Sequence, residues 1–276
     1  MISRDILPAP ELRDMIYRYR LRHFKFDGSI IPPPKPFPPR PEQCLIFYPR
    51  GHEQIEHPLT RQKTGRSRSV ITGQFTERVN RLIGSEEFLM IAVEFKPGAL
   101  YRLTGINLSE ITNTSIDAEA IFGLELPGVN NRLSGAESYE EMISIIELFL
   151  QKIKSQSSRE LIAADDVLNN LVSSGDILSV DKLSKKCYLS PRHLERKLNE
   201  RIGICPKTFL RLSRFNRSLN MRLANPGMTW MSVAIESGYN DYQHLSKEYK
   251  TYTNNTPNLF LSEEYQSPGR ILGLTR

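Results

Sequence analysis

The sequence predicts an α+β chain, with a mixed, mainly β N-terminal half followed by an all-α half. Three observations predict it. Short β-branched and aromatic runs, "QCLIFYP" and "FLMIAVEFKPG", stand between prolines and glycines up to about residue 135. From Ser138 onward apolar residues recur at helical spacing. Within the helical half, a pattern of short helix, turn and second helix occurs twice.

A chain of 276 residues fits two domains, each long enough for its own core. Charged residues at 25% and hydrophobic ones at 39% describe a folded globular protein. No apolar run approaches the roughly 18 residues that a bilayer requires. "MISRDILPAP" lacks the basic-then-apolar pattern of a secretory leader, so the expected location is cytoplasmic, with no membrane partner. Cys44, Cys187 and Cys205 are scattered, as reduced thiols are, rather than paired as in a metal site or a disulfide framework.

The elements follow in order. Prolines fill 29–41, "SIIPPPKPFPPRP", which excludes helix and central strand and suggests a polyproline-like surface excursion. "RQKTGRSR" reads as a basic loop between strands. At Ser138 a helix opens with a capping box, Ser138 and Glu141, and Tyr139, Met142, Ile145, Ile146, Phe149 and Ile153 form its apolar face. That helix is expected to pass the state of the N-terminal half onward, as a dimer contact or by packing under the linker. A polar break near 154–160 divides the chain into an N-terminal unit (1–154), a helical unit (161–265) and a tail (266–276).

In the helical unit, "DKLSKKCYLSPRHLERKLNE" and "MSVAIESGYNDYQHLSKEYKT" align. Leu183 and Ser184 match Val233 and Ala234, and the His-Leu pair 193–194 recurs at 244–245 with a turn longer by one residue. Ser190 and Asp241 suit N-caps, and Pro191 suits the first helical position. Between the units Phe209, Leu212, Phe215, Leu219 and Leu223 make the stripe of one long helix, stopped by Asn225-Pro226-Gly227. Two helix-turn-helix units on such a spacer can enter successive major grooves of B-DNA, about 34 Å apart. Charge agrees: from Lys182 to Arg222, twelve Lys and Arg face only Glu195 and Glu200, in a chain of net charge +6. That concentration favours a polyanion.

On "LSKKCYLSPRHLERKL", the long central helix, "AIESGY" and "HLSKEYK…TP", residues 161–265 resemble the double helix-turn-helix DNA-binding domain of the AraC/XylS transcription regulators. The chain departs from that pattern at Tyr188, where a small residue or Gly is usual, at Ser184 for Ala, and at Asn255 for Gly. "GQFTERVNRL" and "VEFKPGALYRLTGINLSEITNTSIDAEAIFG" resemble a regulatory domain joined to such units, which implies sensing or dimerisation. The resemblance implies Arg192, Glu195 and Arg196 as base-facing residues of the first recognition helix, and Tyr242, Gln243, Ser246 and Lys247 on the second. Guanidinium groups suit guanine and a carboxylate suits cytosine N4. Asn199, Lys250, Arg211 and Arg214 are expected at phosphates.

Double-stranded DNA is thus the expected partner; a small-molecule effector, RNA polymerase and a second copy of the chain are left open as others. No catalytic residue, metal or cofactor is expected. The rival readings are an enzyme and a protein-interaction or metal- or small-molecule-binding protein whose helices no longer bind DNA. "HEQIEH" has its histidines five apart rather than the four a helical zinc site needs, and His23, His52 and His57 have no supporting spacing. Glu195 and Glu248, expected on the outward faces, favour the interaction reading together with Tyr188.

Overall fold

A computed structural model describes residues 2–26 and 34–266. Its N-terminal half is two antiparallel sheets built from β1 (Ile2–Ile6), β2 (Ile16–Lys25), β3 (Lys35–Phe37), β4 (Gln43–Arg50), β5 (Glu53–Glu56), β6 (Ser69–Thr72), β7 (Val79–Ile83), β8 (Glu87–Phe95) and β9 (Ser115–Asp117). The larger sheet runs β1-β2-β8-β4-β6-β9 and the smaller β3-β7-β5. The predicted runs "QCLIFYP" and "FLMIAVEFKPG" are β4 and β8. Both are buried almost throughout because both faces of the large sheet are covered. Leu45, Phe47, Ile91 and Val93 face the helices, while Cys44, Ile46, Met90 and Ala92 face the small sheet.

The helices of this half are α1 (Ala99–Thr104), α2 (Ala118–Phe122), α3 (Glu125–Gly135) and α4 (Tyr139–Gln156). Met142, Ile145, Ile146, Phe149 and Leu150 of α4 join the core formed with the large sheet. Each such side chain contributes about 1.5–3 kcal/mol by leaving water. That apolar face is therefore occupied within the chain itself. Ser138 caps α4 by accepting from Glu141 N at 3.1 Å. The capping box is not reciprocal, since Glu141 Oε2 accepts from Glu137 N at 3.0 Å instead of from Ser138.

The proline segment corrects an expectation. Residues 29–33 lie outside the described residues, but Lys35–Phe37 is a strand, paired with β7, and Pro36, Pro38 and Pro39 are buried. Proline is admitted because β3 is an edge strand, whose outer N–H groups have no ladder to complete.

The helical half comprises α5 (Ala163–Ser174), α6 (Val180–Lys186), α7 (Pro191–Ile202), α8 (Pro206–Ala224), α9 (Trp230–Glu236), α10 (Tyr242–Thr253) and α11 (Pro257–Tyr265) around a second core. The α8 stripe Phe209, Leu212, Phe215 and Leu219 is its centre, and the helix stops before Asn225. The left-handed residue closing α10 is Asn254 at φ 61°, not Asn255. Asn255 instead donates from its amide to Glu263 Oε1 at 2.9 Å.

The two halves meet at the C-terminal ends of α7 and α10. Gln43 Nε2 donates to Ile202 O and Thr112 Oγ1 to Gly203 O, each at 2.7 Å, and Tyr101 Oη donates to Glu200 Oε1 at 2.6 Å. Gly203 sits at φ 91°, and a Cβ there would come within 2.7 Å of Leu108 O, so glycine is required by both backbone and neighbour. Arg78 donates to Thr253 O at 3.0 Å and pairs with Glu263 at 2.8 Å. Behind α7, Arg201 forms a buried ion pair with Asp165 and stands 4.7 Å from the Tyr101 ring centroid.

Candidate nucleic-acid interface

The two units α6–α7 and α9–α10 close their first helices with the same pair of backbone hydrogen bonds. Tyr188 N donates to Lys185 O and Leu189 N to Ser184 O at 3.1 and 3.0 Å, and Gly238 N donates to Ile235 O and Tyr239 N to Ala234 O at 3.0 and 2.9 Å. Both turn residues are left-handed, Tyr188 at φ 55° and Gly238 at φ 84°. Asn240 is the additional residue of the second turn. Tyr188 keeps the geometry despite its side chain, which stays 90% exposed; the cost falls on the backbone rather than on packing.

Each second helix begins at the expected cap. Ser190 Oγ accepts from His193 N at 3.3 Å, and Asp241 Oδ1 accepts from His244 N at 2.7 Å. Leu194 and Leu198 of α7, and Leu245, Tyr249 and Tyr252 of α10, are buried. This leaves Arg192, Glu195 and Arg196 exposed on α7, with Asn199 half-buried. On α10, Gln243, Lys247 and Lys250 are exposed, and Tyr242 and Ser246 half-buried. Arg196 Nη2 lies 3.1 Å from His193 Nε2, one turn back on the same helix. Arg192, Glu195, Arg196 and Asn199 share an open depression with Tyr101 and Asn107 of the N-terminal half.

One charged residue departs from expectation, and it engages two of the arginines. Glu248 is buried instead of facing outward, since at position 248 it falls between Leu245 and Tyr249 on the apolar stripe. Its Oε1 accepts from Arg211 Nε at 2.7 Å and lies 3.8 Å from Arg214 Nη2. The hydrogen bond to Glu248 holds the Arg211 guanidinium above its ordinary range. Arg214 also stands over the Tyr239 ring, 4.6 Å from its centroid. The two arginines expected at phosphates are thus engaged inside the helical half, joining α8 to α10. The spacing 245-248-249-252 is the sequence signal that could have revealed Glu248 as an inward residue.

His52 and His57 flank the strand β5 rather than riding a helix. His57 Nε2 is 3.4 Å from Glu77, and His23 bonds Tyr139 and Glu87. Among the described residues no group of three or more His, Cys, Asp or Glu could hold a metal ion. Burial pushes the Cys44 thiol up to about 12 and Cys187 up to about 11, away from thiolate chemistry. No described helix is long and apolar enough to cross a membrane.

Comparison with known proteins follows this division of the chain. A family profile described as a helix-turn-helix domain matches residues 183–263, and one described as a domain of unknown function matches residues 4–117. The Msm operon regulatory protein of Streptococcus mutans is 26% identical over 140 residues, 50% of this chain and 50% of that protein. The chain thus spans about half the length of this curated relative. Among solved structures, ToxT from Vibrio cholerae aligns with a TM-score of 0.48 at 12% identity over 89% of this chain and 96% of ToxT. The AraC-like transcriptional activator CuxR aligns with a TM-score of 0.25 at 13% identity, covering 78% of each chain.

Proposed function

We propose that the chain, through its C-terminal helices, is a regulator of the AraC/XylS type, a sequence-specific DNA-binding protein whose N-terminal half governs its two recognition helices. The observation that carries this reading is the pair of units with matching helix-closing hydrogen bonds and a side-chain cap on each second helix, each with a buried apolar stripe and an outward polar face. α7 and α10 enter successive major grooves. Arg192, Glu195 and Arg196 on the first, and Tyr242, Gln243, Ser246 and Lys247 on the second, read base edges. Lys250 and Asn199 take phosphates, while Arg211 and Arg214 act chiefly by holding α8 to α10 through Glu248.

The domains of this reading are 1–154, regulatory, and 161–265, DNA-binding. Regulation has a physical route in the contacts at Ile202, Gly203 and Thr253, which tie the last turn of each recognition helix to the N-terminal half. An effector that moves β4 or β7 changes how the two helices present themselves. Selection of genomic fragments with the full chain, followed by binding of the winner at two salt concentrations, tests the reading. One enriched motif whose affinity falls steeply with salt supports it. Weak, salt-insensitive binding without enrichment, with and without the N-terminal half, rejects it.

A further inference from the structure

The outward face of α7 does not look into open solvent on every side. Arg192, Arg196 and Asn199 line one wall of a depression of about 720 Å³, and Gly105 and Asn107 of the N-terminal half line the other. Tyr101 Oη, donating to Glu200 Oε1 at 2.6 Å, bridges the two walls near the C-terminal end of α7. A helix with its side chains is about 10–12 Å across and a major groove about 12 Å wide, so a sugar-phosphate strand passes close along each side of a seated helix. On this side of α7 the strand has the depression to run through.

The N-terminal wall carries donors without acceptors. Asn107 is exposed, and its Oδ1 accepts from Ser109 N at 3.2 Å and from Ser109 Oγ at 2.9 Å. That leaves its amide Nδ2 with no acceptor among the described residues. Arg159, on the linker after α4, lays its guanidinium against Gly105 at the rim of the depression and forms no ion pair among the described residues. The linker is fastened there, since Ser157 Oγ donates to Arg102 O and accepts from Arg159 N at 3.4 Å. The carboxylates that line the depression do not cancel these groups. Glu200 is taken by Tyr101 and by Lys197 at 3.2 Å, and Glu195 stands on α7 between Arg192 and Arg196. Glu110 and Glu160, next in sequence to Ser109 and Arg159, are exposed but do not line it.

We propose that the N-terminal half is itself part of the DNA interface, with Asn107 and Arg159 holding the phosphate backbone of the strand beside α7. This inference rests on reading α7 as a recognition helix. Phosphate oxygens accept from amide and guanidinium groups alike, and such contacts set register and affinity without reading sequence. The surface is continuous with the base-facing residues, because Arg192 and Arg196 line the same depression. How near the N-terminal wall stands to α7 is fixed by the Tyr101–Glu200 bond and by Thr112 Oγ1 donating to Gly203 O at 2.7 Å. The placement of the two halves then enters DNA affinity directly, through a contact of its own.

The test uses the full chain, a duplex selected for binding and a random duplex of equal length. Affinities of the wild type, Arg159→Gln, Asn107→Ala and Arg196→Ala are measured at about 0.05 and 0.2 M sodium chloride, with thermal unfolding as the control for folding. Arg159→Gln should weaken both duplexes alike. With one phosphate contact fewer, it should lose about threefold less affinity than the wild type over that rise in salt. Asn107→Ala should weaken both duplexes with the salt dependence unchanged, since a neutral amide displaces no counterion. Ethylation of a phosphate beside the α7 half-site should interfere with the wild type and not with Arg159→Gln. Unchanged affinity and salt dependence in both variants would overturn the proposal, as would tighter binding by both, the result of a wall that obstructs DNA. If Arg196→Ala alone weakens the selected duplex, the N-terminal contact falls and α7 stands as a recognition helix. If the wild type shows no salt-dependent binding to any duplex, the DNA-binding reading falls and takes this contact with it.

Discussion

Replacing Glu248 by Gln keeps the side chain's shape and one acceptor oxygen while removing its charge. In the folded chain this carboxylate is 4% exposed, 2.7 Å from Arg211 Nε and 3.8 Å from Arg214 Nη2. Removing one partner of a fully buried pair costs about 3–5 kcal/mol, because the remaining charge is stranded. Here the stranded partners are not fully buried: the Arg211 side chain is 40% exposed and that of Arg214 22%. Partial rehydration of both reduces the expected loss to about 2 kcal/mol. For a chain of this size the loss lowers Tm by roughly 4–8 °C. Urea unfolding of the wild type, Glu248→Gln, Arg211→Ala and the double variant measures it, with a coupling energy of about 1 kcal/mol or more expected between 211 and 248. A loss under about 0.5 kcal/mol, with no coupling, would refute the internal role of this network. It would return Arg211 to the phosphates, where Arg211→Ala would instead flatten the salt dependence of DNA binding.

Other predictions follow from the same geometry. Tyr188→Gly should stabilise the chain by about 0.5–1 kcal/mol, the left-handed strain relieved less the added freedom of the unfolded glycine; a loss of stability on denaturant titration would contradict the strain. Asp165→Asn should destabilise by about 3–5 kcal/mol, since the charge it leaves on Arg201 is buried, and a change indistinguishable from a surface substitution in the same assay would contradict this. Arg196→Ala and Lys247→Ala should each relax preference at one base position at a cost of about 1–3 kcal/mol, whereas Lys250→Ala should weaken all sequences alike; uniform losses for all three on specific and random duplexes would show the faces misassigned. Lys35 is held at about 8 in the folded chain against an ordinary value of 10.5. The folded state therefore releases this proton first, and stability gains an increment as pH rises from about 8 toward 10.5. The difference between wild type and Lys35→Met across that range, by denaturant unfolding, should show the increment; its absence would contradict the burial of the charge.

Much of the helical half was legible because its signals are local. Caps at Ser190 and Asp241, the stripe at Leu245, Tyr249 and Tyr252, and the recurrence of His-Leu all lie within a few turns of helix and survive folding unchanged. The fate of charged residues was less legible, because it depends on what faces them. Glu248 reads as polar in sequence and becomes an inward anchor only because α8 brings Arg211 and Arg214 to it. Prolines at 36, 38 and 39 suggested surface, yet an edge strand accepts and buries them. At the turn after α10 the left-handed residue is Asn254, one position before the Asn255 that stands where the family pattern has Gly.

The central claim is that α7 and α10 lie in two successive major grooves on one face of a duplex. Methylation interference at guanine N7 on a selected binding site tests it most directly, because that atom lies in the major groove. The account predicts two clusters of interference separated by about one helical turn. Arg196→Ala should erase a contact in one cluster and Lys247→Ala a contact in the other. A single cluster, or two that both respond to the same substitution, would contradict it.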